Sequence, residues 1–179
     1  MSVLLKTKTY LIGPMQYAED SGTQWRKYIS GELNTLGITC YDPTIPMFTD
    51  DLDEVNSKST RLQMMKDGNY DEVASQMKRV RTHDLSLVDR TDFIYCYIDP
   101  KIPSLGTDEE FVTANRMKKP IFVVVEGGKK NSPLWLMGQI PHKYIFDYHE
   151  LAIDKIKQID NNEIKIDSSR WRLLLPELR

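Results

Sequence analysis

Two strongly apolar runs, Phe93–Ile98 and Ile121–Val125, bracket a turn-rich loop and one stretch of helical spacing. A run that is apolar at every position cannot keep one face in water. Both therefore read as interior strands of a parallel sheet, buried on both sides. Parallel neighbours need a crossover, and the segment that begins at Thr107 supplies a helical one. The loop before it carries Pro100, Pro103 and Gly106 and leaves the carboxyl end of a strand, where open α/β sheets hold their ligands. The start of the helix is acidic: Asp108, Glu109, Glu110. Thr107 and Glu110 have the T-x-x-E spacing of a capping box, in which the glutamate satisfies only a backbone N–H. Glu110 also opens an i, i+4, i+7 series with Ala114 and Met117, which puts it on the inward stripe. At this point two readings stand, a cap and a carboxylate held toward a cleft.

The rest of the chain extends the same pattern. Residues 9–12 form a strand ended by Gly13-Pro14. The following loop, 15–22, lacks G-x-G-x-x-G and is no dinucleotide fingerprint. The spacing of Trp25, Tyr28, Ile29, Leu33 and Leu36 predicts a helix over 24–36, capped by Gly37. A second strand follows at 38–41, closed by Asp42-Pro43. Segment 44–69 is polar and irregular, a variable loop carrying Asp50, Asp51, Asp53 and Glu54. It reads as a solvated surface loop or as a lid or partner-contact segment. It lacks the glycine and distal glutamate of a calcium loop. Val73, Met77, Val80 and Val88 predict a helix over 70–88, with His83 off its stripe and exposed. Asp84 falls on that stripe, where a carboxylate is costly unless paired or functional; Arg79, Arg81 and Arg90 are the available partners. The basic turn 127–131, with Lys129 and Lys130, is either solvated or placed to meet phosphate. Ser132 caps a short helix with Pro133 at its first position. A strand at 144–146, a helix at 149–159 and an amphipathic C-terminal extension, 160–179, complete the chain.

A chain of 179 residues is expected to form one domain. The expected fold is a three-layer α/β architecture, flavodoxin/Rossmann-like, with a mostly parallel sheet of about five strands flanked by helices. The net charge of −2 gives no field that draws a nucleic acid polymer. No apolar run is long enough to span a membrane, and the apolar part of the N-terminus is too short for a signal peptide. Cys40 and Cys96 lie in apolar runs and read as small buried thiols. The three histidines show no ligand spacing with them, so no metal site is expected. Together these features point to a cytoplasmic protein.

Several short motifs recur in order: Tyr10-Leu-Ile-Gly-Pro, Trp25-Arg26, Gly37 with Asp42-Pro43, His83-Asp84-Leu85, the strand opened by Asp92, and Ser104-Leu-Gly-Thr-Asp-Glu-Glu110 followed by Lys119-Pro120. This ordered set resembles the nucleoside 2-deoxyribosyltransferases and the related deoxynucleoside 5′-monophosphate N-glycosidases, over residues 10–148. The resemblance implies that Glu110 is a catalytic nucleophile, that Tyr10 orients it, and that Asp84 lies near the base or leaving group. It implies a substrate site formed by Gly13, Pro14, Met15, Gly106 and Thr107, with Ser104 toward a 5′-phosphate and Asp99 toward the nucleobase. The family's transferases complete the site with an asparagine from a neighbouring subunit near Pro133; this chain has Trp135 there. Its first loop, Gly-Pro-Met, lacks the Ser/Arg-rich phosphate loop of the hydrolases.

The implied reaction is N-glycosidic bond cleavage or transfer on 2′-deoxynucleosides or their 5′-monophosphates. It runs through a covalent deoxyribosyl-enzyme, by analogy with retaining glycosidases. Asp84 is the expected acid for the departing base, and a helix N-terminus is expected to favour ionised Glu110. In this reading Thr107 caps the helix and Asp108 or Glu109 serves its dipole. No cofactor is needed, and a homo-oligomer built on a dimer is expected. The alternatives are a strict monophosphate hydrolase and a nucleotide-binding sensor without turnover.

Overall fold

The computed structural model describes residues 2–45, 52–164 and 169–171. Five strands lie parallel in the order β2-β1-β3-β4-β5. They are β1 (Lys8–Ile12), β2 (Thr39–Tyr41), β3 (Phe93–Ile98), β4 (Ile121–Val125) and β5 (Ile145–Phe146). The apolar runs explain the order: β3 and β4 are central and almost wholly buried, whereas the polar-start β2 takes an edge. Helices α1 (Thr23–Asn34) and α6 (His149–Asp160) pack together on one face. Helices α3 (Tyr70–Arg90) and α4 (Leu105–Arg116) pack together on the other. Helix α2 (Lys58–Lys66) lies on α3, and a short α5 (Leu134–Gln139) precedes β5. This is the expected three-layer α/β fold.

The buried apolar residues form one contiguous core on the sheet. On the α1/α6 side, Trp25, Tyr95, Tyr97 and His149 form a cluster of rings, with Trp25 and His149 stacked at 5.9 Å. Tyr95 Oη lies 2.8 Å from His149 Nδ1, so the buried polar ends pair with each other. Further along the sheet Trp171 is buried against Phe93 and Phe122, which ties the described part of the C-terminal extension to the body. Gly37 follows α1 at φ +73°, a left-handed conformation that favours glycine.

Several boundaries differ from the expectations. Segment 44–69 is not all loop, because it contains α2. That helix was hidden since its apolar residues Leu62 and Met65 remain exposed, leaving little apolar stripe to read. Asp50 and Asp51 lie outside the described residues. Helix α4 starts at Leu105, with Ser104 as its N-cap, so Thr107 is an interior residue and Thr107/Glu110 is not a capping box. Gly106, which read as part of the turn, is helical. Met117, expected inward, is 44% exposed just past the end of α4. Pro133, not Ser132, is the N-cap of α5. His83 is half-buried rather than exposed.

Candidate active site

The chain reverses its direction of growth between β1 and β3: β2 lies outside β1, while β4 and β5 lie beyond β3. At such a switch point the loops leaving the two strands diverge and open a crevice. Here the crevice is a cleft of ≈ 450 Å³. Tyr10, Gly13 and Met15 line it from β1 and the loop after it; Ser104, Gly106, Thr107 and Glu110 line it from the start of α4; Asp84 enters from α3.

Tyr10 is 1% exposed in the middle of β1, and its hydroxyl donates to Glu110 Oε1 at 2.8 Å. The same hydroxyl also hydrogen-bonds Asp84. Asp84 in turn faces His83 Nδ1 at 3.1 Å and hydrogen-bonds Glu54. Of the expected arginine partners, Arg81 turns outward to Glu109, with Nε donating to Oε2 at 2.7 Å. Ser104 Oγ and Thr107 Oγ1 lie 2.6 Å apart at the rim, one hydroxyl donating to the other.

Electrostatics follow from this crowding. Burial, then the charge of Asp84, pushes the Glu110 carboxyl up to about 8, against the Tyr10 bond that favours its ionised form. Burial raises Asp84 to about 6 and, with help from Asp84, raises Glu54 to about 7. Burial therefore works against the expected ionisation of Glu110, which the Tyr10 hydrogen bond still favours. Glu110 sits in the second turn of α4, and desolvation beside two other carboxyls outweighs the dipole. Burial, and then Glu110 and Asp84, raise the Tyr10 hydroxyl well above its ordinary value, keeping it a donor.

Arg26 also lines the cleft, although its guanidinium is committed to the scaffold. It donates to the carbonyls of Leu11 (3.0 Å), Gly13 (2.8 Å) and Gly22 (3.1 Å), and so fixes the loop after β1. Pro14 is buried beside that loop but is not part of the cleft wall. Asp99 is also outside the wall; its Oδ1 accepts from Lys101 N at 2.9 Å and closes its own turn. Trp135 is 81% exposed on α5 and does not reach the cleft within this chain.

Two charged cleft residues, Arg26 and Glu54, were missed as site residues. Arg26 lies on the inward stripe of α1 with Ile29 and Leu33, so the reasoning applied to Asp84 would have found it. Glu54 carried only the signal of an acidic cluster, which ordinarily marks a solvated loop. An adjoining cavity of ≈ 270 Å³ between α2 and α3 is walled by Leu62, Met65, Val73 and Met77, and meets the cleft at Met15 and Glu54. Among the described residues, no group of three or more His, Cys, Asp or Glu is placed to hold a metal ion. No helix among them is long and apolar enough to cross a membrane.

Fold and cleft together define a parallel α/β protein with a carboxyl-rich cleft at its switch point. No protein-family model and no curated protein matches the sequence. Among solved structures, the Clostridium botulinum CMP N-glycosidase BcmB is similar, with a TM-score of 0.49 and 14% identity, over 85% of this chain and 98% of that one. A likeness at that level carries neither the fold nor the chemistry, both of which rest on this chain's own residues.

Proposed function

We propose that this protein cleaves or transfers the N-glycosidic bond of a 2′-deoxynucleoside or its 5′-monophosphate, with Glu110 as nucleophile. The observation that carries the reading is the Tyr10–Glu110 hydrogen bond inside the cleft, with Asp84 on the same hydroxyl. A carboxylate held by a neutral donor keeps one lone pair for the anomeric carbon of a sugar. It stabilises the oxocarbenium-like charge and forms a glycosyl ester. The departing base needs a proton, and Asp84, raised toward neutrality by burial, is the acid. Water attacking the ester gives a hydrolase; a second base gives a transferase.

The uncharged nucleoside is favoured over the monophosphate by one feature of the cleft. Among the described residues, Arg26 is its only lysine or arginine, and that guanidinium is already engaged with four carbonyls, while Glu54, Asp84 and Glu110 supply acid. Incubation with deoxynucleosides and deoxynucleoside monophosphates, with and without a second free base, tests the reading. Free base without acceptor marks a hydrolase, exchanged nucleoside marks a transferase, and binding without product marks a sensor. Glu110→Ala is expected to lose at least ~10³-fold in kcat; full activity in that variant would overturn the mechanism.

A further inference from the structure

Glu54 is the half-buried titratable group of the cleft that this mechanism leaves unused. It arrives from the segment before α2, far from α3 in sequence, yet its carboxyl hydrogen-bonds Asp84. It also lines both the cleft and the adjoining apolar cavity. A carboxylate is only an acceptor, so a hydrogen bond between two carboxyls requires a proton on one of them.

We propose that Glu54 is a positioning residue for Asp84: the two carboxyls share one proton across their hydrogen bond, and that proton is the one the departing base receives. The inference rests on the N-glycosidic reading above and deepens it. The groups around the pair come from every neighbouring element: Tyr10 on β1, Arg26 on α1, Lys58 and Arg61 on α2, His83 on α3 and Glu110 on α4. Lys58 donates to the carbonyls of Met15 and Ala18, and Arg61 to Gln76 and the carbonyl of Asp53, so both are engaged elsewhere.

The step balances with a single proton. As the bond between the anomeric carbon and the base nitrogen breaks, its electron pair goes to the nitrogen. The shared proton leaves through Asp84 to that nitrogen, and the Glu110 carboxylate bonds to the anomeric carbon. The glycosyl ester is neutral and the Glu54–Asp84 pair is then doubly anionic, so the net charge of the carboxyl cluster is unchanged. In the second step water bonds to the anomeric carbon and its proton returns to the pair. The ester's electron pair returns to Glu110. Two like charges a hydrogen bond apart resist full ionisation, and the reacting form is the one in which the pair holds this proton while the Tyr10 hydrogen bond keeps Glu110 ionised.

The test compares Glu54→Gln with wild type on two substrates. One is a natural 2′-deoxynucleoside, whose base must be protonated. The other is p-nitrophenyl 2-deoxyriboside, whose leaving group departs as an anion. Glu54→Gln is expected to slow the first by ~100-fold, the range of lost general-acid catalysis, and the second by no more than about threefold. Its alkaline limb of kcat on the natural substrate should move to lower pH, because Asp84 then loses its proton alone. Glu54→Asp should restore part of the loss. Equal losses on both substrates, or no loss on either, would overturn the inference while leaving the Glu110 reading intact. A wild type that cleaves neither substrate sinks the glycosidic reading itself. Carbon-13 carboxyl titration by NMR, which needs no turnover, then decides the shared proton: coupled titration of Asp84 and Glu54 supports it, and independent titration in wild type overturns it.

Discussion

The Tyr10 hydroxyl donates to Glu110 Oε1 at 2.8 Å, joining the middle of β1 to the second turn of α4. This bond favours the ionised form of Glu110 against burial. Tyr10→Phe keeps the ring in the core and removes only the hydroxyl. A hydrogen bond to a charged group contributes ~1.5–3 kcal/mol. The expected result is a ~10- to 100-fold fall in kcat, with the acid limb of the pH–rate profile moved upward. Steady-state kinetics against pH check it, and an unchanged acid limb would count against Tyr10 as the orienting group.

The same cluster makes the fold sensitive to pH in a direction opposite to that of ordinary ion-paired carboxyls. Glu110, Glu54 and Asp84 have folded-state values raised to about 8, about 7 and about 6. Between the unfolded carboxylate range and these values, the folded chain holds protons that the unfolded chain has released. Stability therefore falls as pH rises through that window. The stabilising contribution is complete near pH 4 and is lost by about pH 8. Measured by calorimetry, Glu110→Gln should raise Tm at pH 8 by ~5 °C, since ~1 kcal/mol moves Tm by ~2–4 °C in a domain of this size, and it should change Tm little near pH 4. An equal gain at both pH values would mean that charge burial is not the cause.

Much of the fold was legible because its core strands are apolar on both faces. The runs at 93–98 and 121–125 have no other stable environment than the middle of a parallel sheet. The inward positions of Asp84 and Glu110 followed from helical spacing, as did the sheet edge at which the loops meet. What spacing could not give was contact between distant segments. Glu54 reads as surface because a cluster of carboxylates is normally wet, and only the packing of its segment against α3 removes water from it. Helix α2 escaped notice because little of it is buried. The true start of α4 was obscured by Gly106, which suits a turn as well as a helix. Asp99 was drawn toward the site by resemblance, yet its carboxylate serves the turn that follows β3.

Arg26 is a structural test of how the cleft is held. Its guanidinium fork reaches the carbonyls of Leu11, Gly13 and Gly22, and it lies 4.0 Å from Asp42. Arg26→Met fills much of the volume but removes the guanidinium donors from those carbonyls and the positive charge beside Asp42. A loss of ~3 kcal/mol is expected in urea unfolding, the range for breaking a buried charged network. Arg26→Lys should recover less than half of it, because a point charge cannot span the fork. Full recovery by lysine would show that charge, not geometry, is what the loop after β1 requires.

Helix α5 bears on assembly. Leu134 and Trp135 are adjacent and 91% and 81% exposed. Large apolar side chains that stand together on a surface lower their free energy by burial at ~25 cal/mol per Å². A homodimer is therefore expected, with twice the 20.8 kDa chain mass by light scattering, and Trp135→Asp should shift it to monomer. If Trp135 also closes a neighbour's cleft, kcat/KM should fall with dissociation and recover at high protein concentration. Wild type that remains monomeric at micromolar concentration would place Trp135 outside any shared site and leave the cleft between β1 and β3 complete within one chain.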